Sequence, residues 1–173
     1  MKILLAYDGS PDAKAAVARC GALFDGEMAT VLTVWEGLSE VLLRAGNGFA
    51  AASLDFDEID RASEAQAHHS AEEGAGHARA AGLVASSRVA RRGVSIWETV
   101  LEQADEAGAD LIVLGTRGLT GVKSMVLGST SRAVLQHADR PVLIVPSPDI
   151  ARHRAEHLAA HAAPSSNPVG TTS

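Results

Sequence analysis

LIVLGTRGLTGVKSMVLGST, residues 111–130, runs from four aliphatic residues through a glycine-rich stretch to a cluster of hydroxyls. Leu111 to Leu114 has the length and aliphatic character of a strand buried on both faces. Ser129 to His137 reads as a helix that begins where the glycines stop. A strand that passes through a glycine loop into a helix is the building unit of a parallel sheet, and the question is whether the remaining chain repeats it.

It does, in both directions. Lys2 to Tyr7 reads as a first strand, and Ser10, Pro11 and Asp12 supply an N-cap, a proline at the first helical position and an acid in the first turn. Ala13, Ala16, Val17, Cys20 and Leu23 then recur at helical spacing. Ala29 to Trp35 is a second, almost wholly apolar strand. Asp57 to Ala81 is rich in alanine and glutamate and predicts a long helix, weakened at Gly74 and Gly76 by up to about 1 kcal/mol each relative to alanine and ended by Gly82. Val84 to Arg92 predicts a third strand whose Arg88 and Arg91 suit a charged sheet edge; a basic binding patch is the rival reading. Ser95 to Glu98 fits a capping box that opens a helix through Val100, Leu101, Ala104 and Ala107 to Gly108. Val142 to Val145, between two prolines, closes the series as a fifth strand. Five strands and four helices thus predict one doubly wound α/β domain over residues 1–147.

Two segments fall outside the repeat. Residues 36–56 are ambiguous, since Leu38 to Leu43 suits a short amphipathic helix and Gly46-Asn47-Gly48 a turn; they read as an insertion. Residues 148–173 turn to alanine, histidine, serine and proline and read as a tail, partly helical or disordered. His153, His157 and His161 would form one stripe on a helix there, but without a carboxylate or a packed surround the stripe is read as solvated rather than metal-binding.

The composition narrows the function. The chain has 173 residues and a net charge of −6, which excludes the broad basic field of a general nucleic-acid binder. An anionic ligand must therefore be held locally. Aromatic residues make up only 3%, so the core is aliphatic. One cysteine, Cys20, permits no internal disulfide and matches no zinc spacing. No apolar run reaches the 18 or so residues of a membrane span, and the expectation is a soluble cytoplasmic protein.

Chemistry concentrates at the carboxyl ends of the strands, where a doubly wound sheet leaves a crevice at its switch point. If the first and fourth strands flank it, Tyr7-Asp8-Gly9 and the Gly115 loop face one another. Two phosphate motifs fail there. Five residues separate Gly115 from Gly121 and Val122 intervenes before Lys123, so this is no Walker A loop; Gly9 stands alone after the first strand, so this is no dinucleotide fingerprint. What remains is Gly115-x2-Gly118-x9-Gly128-Ser129. Gly115 and Gly118 allow close backbone approach and positive φ, and Gly128, Ser129 and Thr130 open a helix whose free N–H groups attract anions. Hydroxyls of Ser129, Thr130 and Ser131 add donors, one of them competing with N-cap duty. Arg117 and Lys123 add local positive charge.

With ILLAYDGS, VLTVWE, GADLIVLGTRG, the G-x2-G-x9-G-S spacing and HADRPVLIVP together, residues 1–147 resemble the universal stress protein family in its ATP-binding subgroup. The resemblance implies a five-stranded sheet of order 3-2-1-4-5, of the adenine nucleotide alpha hydrolase-like kind, with ATP, ADP or AMP in the cleft, ATP together with Mg²⁺. It implies Asp8 near ribose, phosphates or Mg²⁺, the backbone of Ala6, Tyr7 and Val34 beside the base, Gly115, Thr116, Arg117 and Gly118 around ribose and phosphates, and Gly128, Ser129 and Thr130 on the phosphate tail. It also implies a homodimer through the fifth strand. Each residue has a plainer reading: Asp8 as a turn residue with Gly9 and Ser10, Val34 as core, Gly128-Ser129 as an ordinary helix start. The expectation is a nucleotide-dependent regulatory protein of the stress response, without a membrane or nucleic-acid partner and without a catalytic set. The alternative is a nucleotide-free dimerisation module.

Overall fold

The computed structural model describes residues 1–44, 55–118 and 127–162. The chain runs β1 (Lys2–Ala6), α1 (Pro11–Leu23), β2 (Met28–Trp35), α2 (Leu38–Arg44), α3 (Phe56–Ala80), β3 (Val84–Arg91), α4 (Ile96–Ala107), β4 (Leu111–Gly115), α5 (Ser129–His137), β5 (Val142–Val145) and α6 (Pro148–Ala162). Five strands pair in the order β3-β2-β1-β4-β5, and every pair is parallel. The reversal of winding falls between β1 and β4, where Leu4 faces Ile112.

Alternation along each strand builds two cores. Ile3, Leu5, Val31 and Val113 pack with Ala16, Val17 and Cys20 of α1 and Ala75 and Ala78 of α3. Leu4, Leu32, Ile112 and Leu114 pack on the other face with Val100 and Ala104 of α4 and Val134 of α5. The near absence of aromatic rings lets helices lie close to the sheet. Gly74, expected to weaken α3, is needed for that approach, since a Cβ there would stand 2.7 Å from the Tyr7 ring. Gly76 has open space around it instead.

Local signals mostly act as read, with instructive departures. Ser10 caps α1 by accepting from Ala13 N–H at 3.1 Å. Ser95 caps α4 by accepting from Glu98 N–H, but Glu98 reaches back to the Ser95 hydroxyl at 2.9 Å rather than to its backbone. Tyr7 lies just past β1, and α2 and α6 add two helices to the four expected. β3 is an edge strand, and its arginines are engaged: Arg88 with Gln103 and Glu106, Arg91 with Glu40 and Asp60 and over the Trp35 ring, Arg92 with Glu36. That pairing removes the basic-patch reading. No described helix is long and apolar enough to cross a membrane.

Candidate ligand-binding cleft

At the carboxyl ends of β1, β2 and β4 lies a cleft of about 480 Å³, closed on one side by α4 and on the other by the start of α5. Pockets of this size accommodate small organic ligands. Its two halves differ in chemistry. Leu32, Val34, Ile96, Val100 and Leu114 make one end aliphatic, whereas Asp8, Arg117, Gly118, Gly128, Ser129 and Thr130 make the other polar. Among the described lining residues, Arg117 is the one cation and Asp8 the one carboxylate.

The β1–α1 turn sets one wall. Gly9 adopts φ +80°, a conformation that disfavours a side chain, and Asp8 Oδ1 accepts from Ser10 N–H at 3.0 Å. The plain turn role of Asp8 is therefore real, and it fixes the carboxylate at the mouth of the cleft. Tyr7 contributes through its backbone position: its N–H donates to Leu32 and its carbonyl accepts from the Thr33 hydroxyl. Its ring points to the opposite face, under α3, where burial and then the charge of Glu73 raise the phenol above its ordinary range. Glu73 accepts from Lys14, His77 and Tyr7, and those hydrogen bonds hold it down at about 2.

The glycine loop forms the opposite wall, and here the structure corrects the reasons assigned to its residues. Neither Gly115 nor Gly118 has positive φ; the positive-φ glycines among the described residues are Gly9, Gly26, Gly82 and Gly108. Both are instead demanded by crowding. A Cβ on Gly115 would lie 2.7 Å from the Asp12 carbonyl carbon, so this glycine makes room for α1 rather than for a ligand. A Cβ on Gly118 would lie 2.6 Å from Asp8 Oδ2, within the cleft itself. Gly128 is the N-cap of α5 and brings no capping side chain, so none of the hydroxyls of Ser129, Thr130 and Ser131 occupies the cap position. Ser131 is not aimed at a ligand either, because its buried hydroxyl donates to the Gly115 carbonyl at 2.8 Å.

Thr116 joins these parts. Its N–H donates to Val145 of β5, its carbonyl accepts from Gly128 N–H at 2.8 Å, and its hydroxyl donates to Asp12 Oδ2. The side chain is thus turned inward, 2% exposed, and Thr116 does not line the cleft as expected. The other expected residues, Ala6, Tyr7, Asp8, Val34, Gly115, Arg117, Gly118, Gly128, Ser129 and Thr130, all line it. Lys123, Ser124 and the rest of 119–126 lie outside the described residues. Sequence reasoning missed the aliphatic end. Ile96 and Val100 stand four apart on α4, where helical spacing by itself marks only an apolar face. It also missed Asp12, read as a helix-start acid.

Comparison with known proteins follows the geometry. The model of the universal stress protein family matches residues 1–146. A Thermus aquaticus universal stress protein, encoded in the QAH/OAS sulfhydrylase 3′ region, is 39% identical over 145 residues, 83% of this chain and 96% of that protein. Among solved structures, a universal stress protein of Methanocaldococcus jannaschii superposes with a TM-score of 0.67 at 22% identity over 84% of this chain and 94% of that one. A universal stress protein of Archaeoglobus fulgidus in complex with dAMP gives 0.56 at 22% identity over 84% and 97%.

Proposed function

The chain belongs to the universal stress protein family, and we propose that its cleft binds an adenine nucleotide, ATP with Mg²⁺ foremost, and that occupancy is the signal it passes on. The observation that carries this is the mixed lining of the cleft: aliphatic Val34, Ile96 and Val100, suited to a flat base, together with Gly118 and the N-terminus of α5, whose N-cap is a glycine without a capping side chain. Backbone N–H groups and the helix dipole there favour phosphate despite the acidic net charge. The dAMP held by the Archaeoglobus fulgidus relative supports the same ligand class. Asp8 would take ribose hydroxyls or a Mg²⁺ carried by the phosphates, since Mg²⁺ is commonly bound by one or two carboxylates together with phosphate oxygens.

Regulation rather than turnover is the proposed activity, in the cytoplasm. Phosphoryl transfer needs a base or positioned water together with charge at the transferred group, and the cleft's one described carboxylate serves too few of these roles. A homodimer through β5 is proposed beside it. That strand has β4 on one side and no described strand on the other, an arrangement that favours pairing with a second copy. If the cleft holds no nucleotide, this pairing is the activity that remains.

Thermal unfolding with and without ATP and Mg²⁺ separates the two. A ligand at about 100 times its dissociation constant adds about 2.7 kcal/mol of stability. The nucleotide reading expects a clear upward shift with ATP, and none in Gly118→Val, whose side chain would occupy the space beside Asp8, or in Gly128→Val. Absence of a shift with ATP, ADP and AMP in the natural chain would leave the dimerisation module alone.

A further inference from the structure

Asp12 lies behind the cleft rather than in it. It is 5% exposed, on the first turn of α1, and it does not line the pocket. Its Oδ2 nevertheless meets two consecutive residues of the glycine loop, accepting from the Thr116 hydroxyl and standing 3.8 Å from Arg117 Nε. Two residues earlier, at the N-cap, the Ser10 hydroxyl donates to the Arg117 carbonyl at 3.4 Å. The close seat of Gly115 on Asp12 and Ala13 completes the attachment. Arg117 is therefore approached from behind at its backbone by Ser10 and at its side chain by an ion pair to Asp12, and among the described residues it is the cation that lines the cleft.

We infer that Asp12 is a positioning residue that pre-sets Arg117 for a ligand phosphate, so that affinity depends on phosphate through a buried carboxylate that the ligand never touches. This rests on the nucleotide reading given above. A guanidinium loses rotamer entropy when it engages a phosphate, and one already aligned by a nearby carboxylate has less to lose. The negative charge of Asp12 is offset, because it stands in the first turn of α1, at the positive end of the helix dipole, and accepts from the Thr116 hydroxyl. The roles are divided between two elements. The amides at α5 supply a cradle that Asp12 does not control, and the side-chain charge comes through α1.

The test is a ligand ladder of adenosine, AMP and ATP, measured by calorimetric titration on the natural chain, Asp12→Asn, Arg117→Ala and the double variant. Asp12→Asn keeps an acceptor for Thr116, and its thermal midpoint is recorded beside the affinities. The expected result is that each phosphorylated ligand loses about tenfold in affinity in Asp12→Asn while adenosine changes by less than about twofold, a charge-assisted hydrogen bond being the interaction lost. Arg117→Ala, which leaves Asp12 in place, is expected to show the same selective loss, and the double variant no more than either, because the two residues act as one unit. Equal weakening of all three ligands in Asp12→Asn would make Asp12 merely structural and overturn the inference, while leaving nucleotide binding intact. No preference for phosphorylated ligands in the natural chain would overturn both.

Discussion

A methyl group on Gly74 would lie 2.7 Å from Tyr7 Cδ1 and 2.9 Å from Val31 Cγ1, whereas one on Gly76, two residues along the same helix, would meet only the end of Arg79 at 4.0 Å. The two glycines therefore carry opposite expectations. Gly74→Ala should cost about 1–3 kcal/mol through overpacking, and Gly76→Ala should add about 0.5–1 kcal/mol by restoring helix propensity. The urea midpoints of the two variants, moving in opposite directions from that of the natural chain, are the check. Composition showed both glycines inside a helical pattern, but their difference depends on which neighbour lies across the layer, and no local spacing encodes that. Glu73 makes a similar point about charge. Lys14, His77 and Tyr7 donate to it and hold it from its ordinary value of 4.5 down to about 2. A depressed carboxylate contributes stability above its unfolded value and loses it as the pH falls through the folded one. The gap in melting temperature between the natural chain and Glu73→Gln should accordingly be widest at neutral pH in low salt and close between about pH 5 and 2. A gap that is constant over that range would mean that the ion cluster does not contribute. His77 stands four residues along α3 and is a local partner, whereas Lys14 on α1 and Tyr7 just past β1 come from distant segments, so the full cluster is not written in any one of them.

At the scale of elements, strands and helices were legible because periodicity and capping agree in this chain. The run Leu111 to Leu114 is buried on both faces, and Ser10 and Ser95 both cap. Where local rules offered two outcomes, packing decided. The stretch after β2 forms α2, with Leu38 N–H donating to Asp60 of α3 at 2.7 Å, a partner 22 residues away. The start of α5 went against expectation for a different reason. Gly128 takes the cap position, where a Cβ would stand 3.1 Å from the Thr116 carbonyl oxygen that its own N–H donates to. A glycine kept for close approach also brings no capping side chain of its own to the first-turn amides, which is the feature that the proposed site uses. Strand β5 belongs at this scale as well. Val142 packs toward the α4 and α5 face and Leu143 toward α1, so Ile144, by alternation, faces with Val142 on the element proposed to pair with a second copy. Ile144→Lys should shift the sedimentation profile from dimer toward monomer while the far-ultraviolet spectrum is retained. A natural chain that sediments as a monomer at micromolar concentration would remove the proposed pairing.

For the molecule as a whole, the parallel order β3-β2-β1-β4-β5 determines where chemistry gathers, because it places the turns after β1 and β4 side by side at the carboxyl ends of their strands. The polar end of the cleft was readable from the spacing of Gly115, Gly118 and Gly128, yet the aliphatic end was not, since Leu32, Ile96 and Val100 look like any other core residues until the layers are assembled. Thr116 stood in the motif and nonetheless turns inward, tying α1, α5 and β5 to one residue. The account accordingly rests on main-chain amides rather than on a surplus of basic side chains. Amide proton and nitrogen shifts of the isotopically labelled protein, followed through a titration with ATP and Mg²⁺, test this directly. The largest movements are expected at Gly118, Ser129 and Thr130, with smaller ones at Gly128, whose N–H is already bonded to Thr116, and at Val34, Ile96 and Val100, all saturating together. Saturating shifts that avoid the first three amides, or a spectrum unchanged at millimolar ATP, would contradict it.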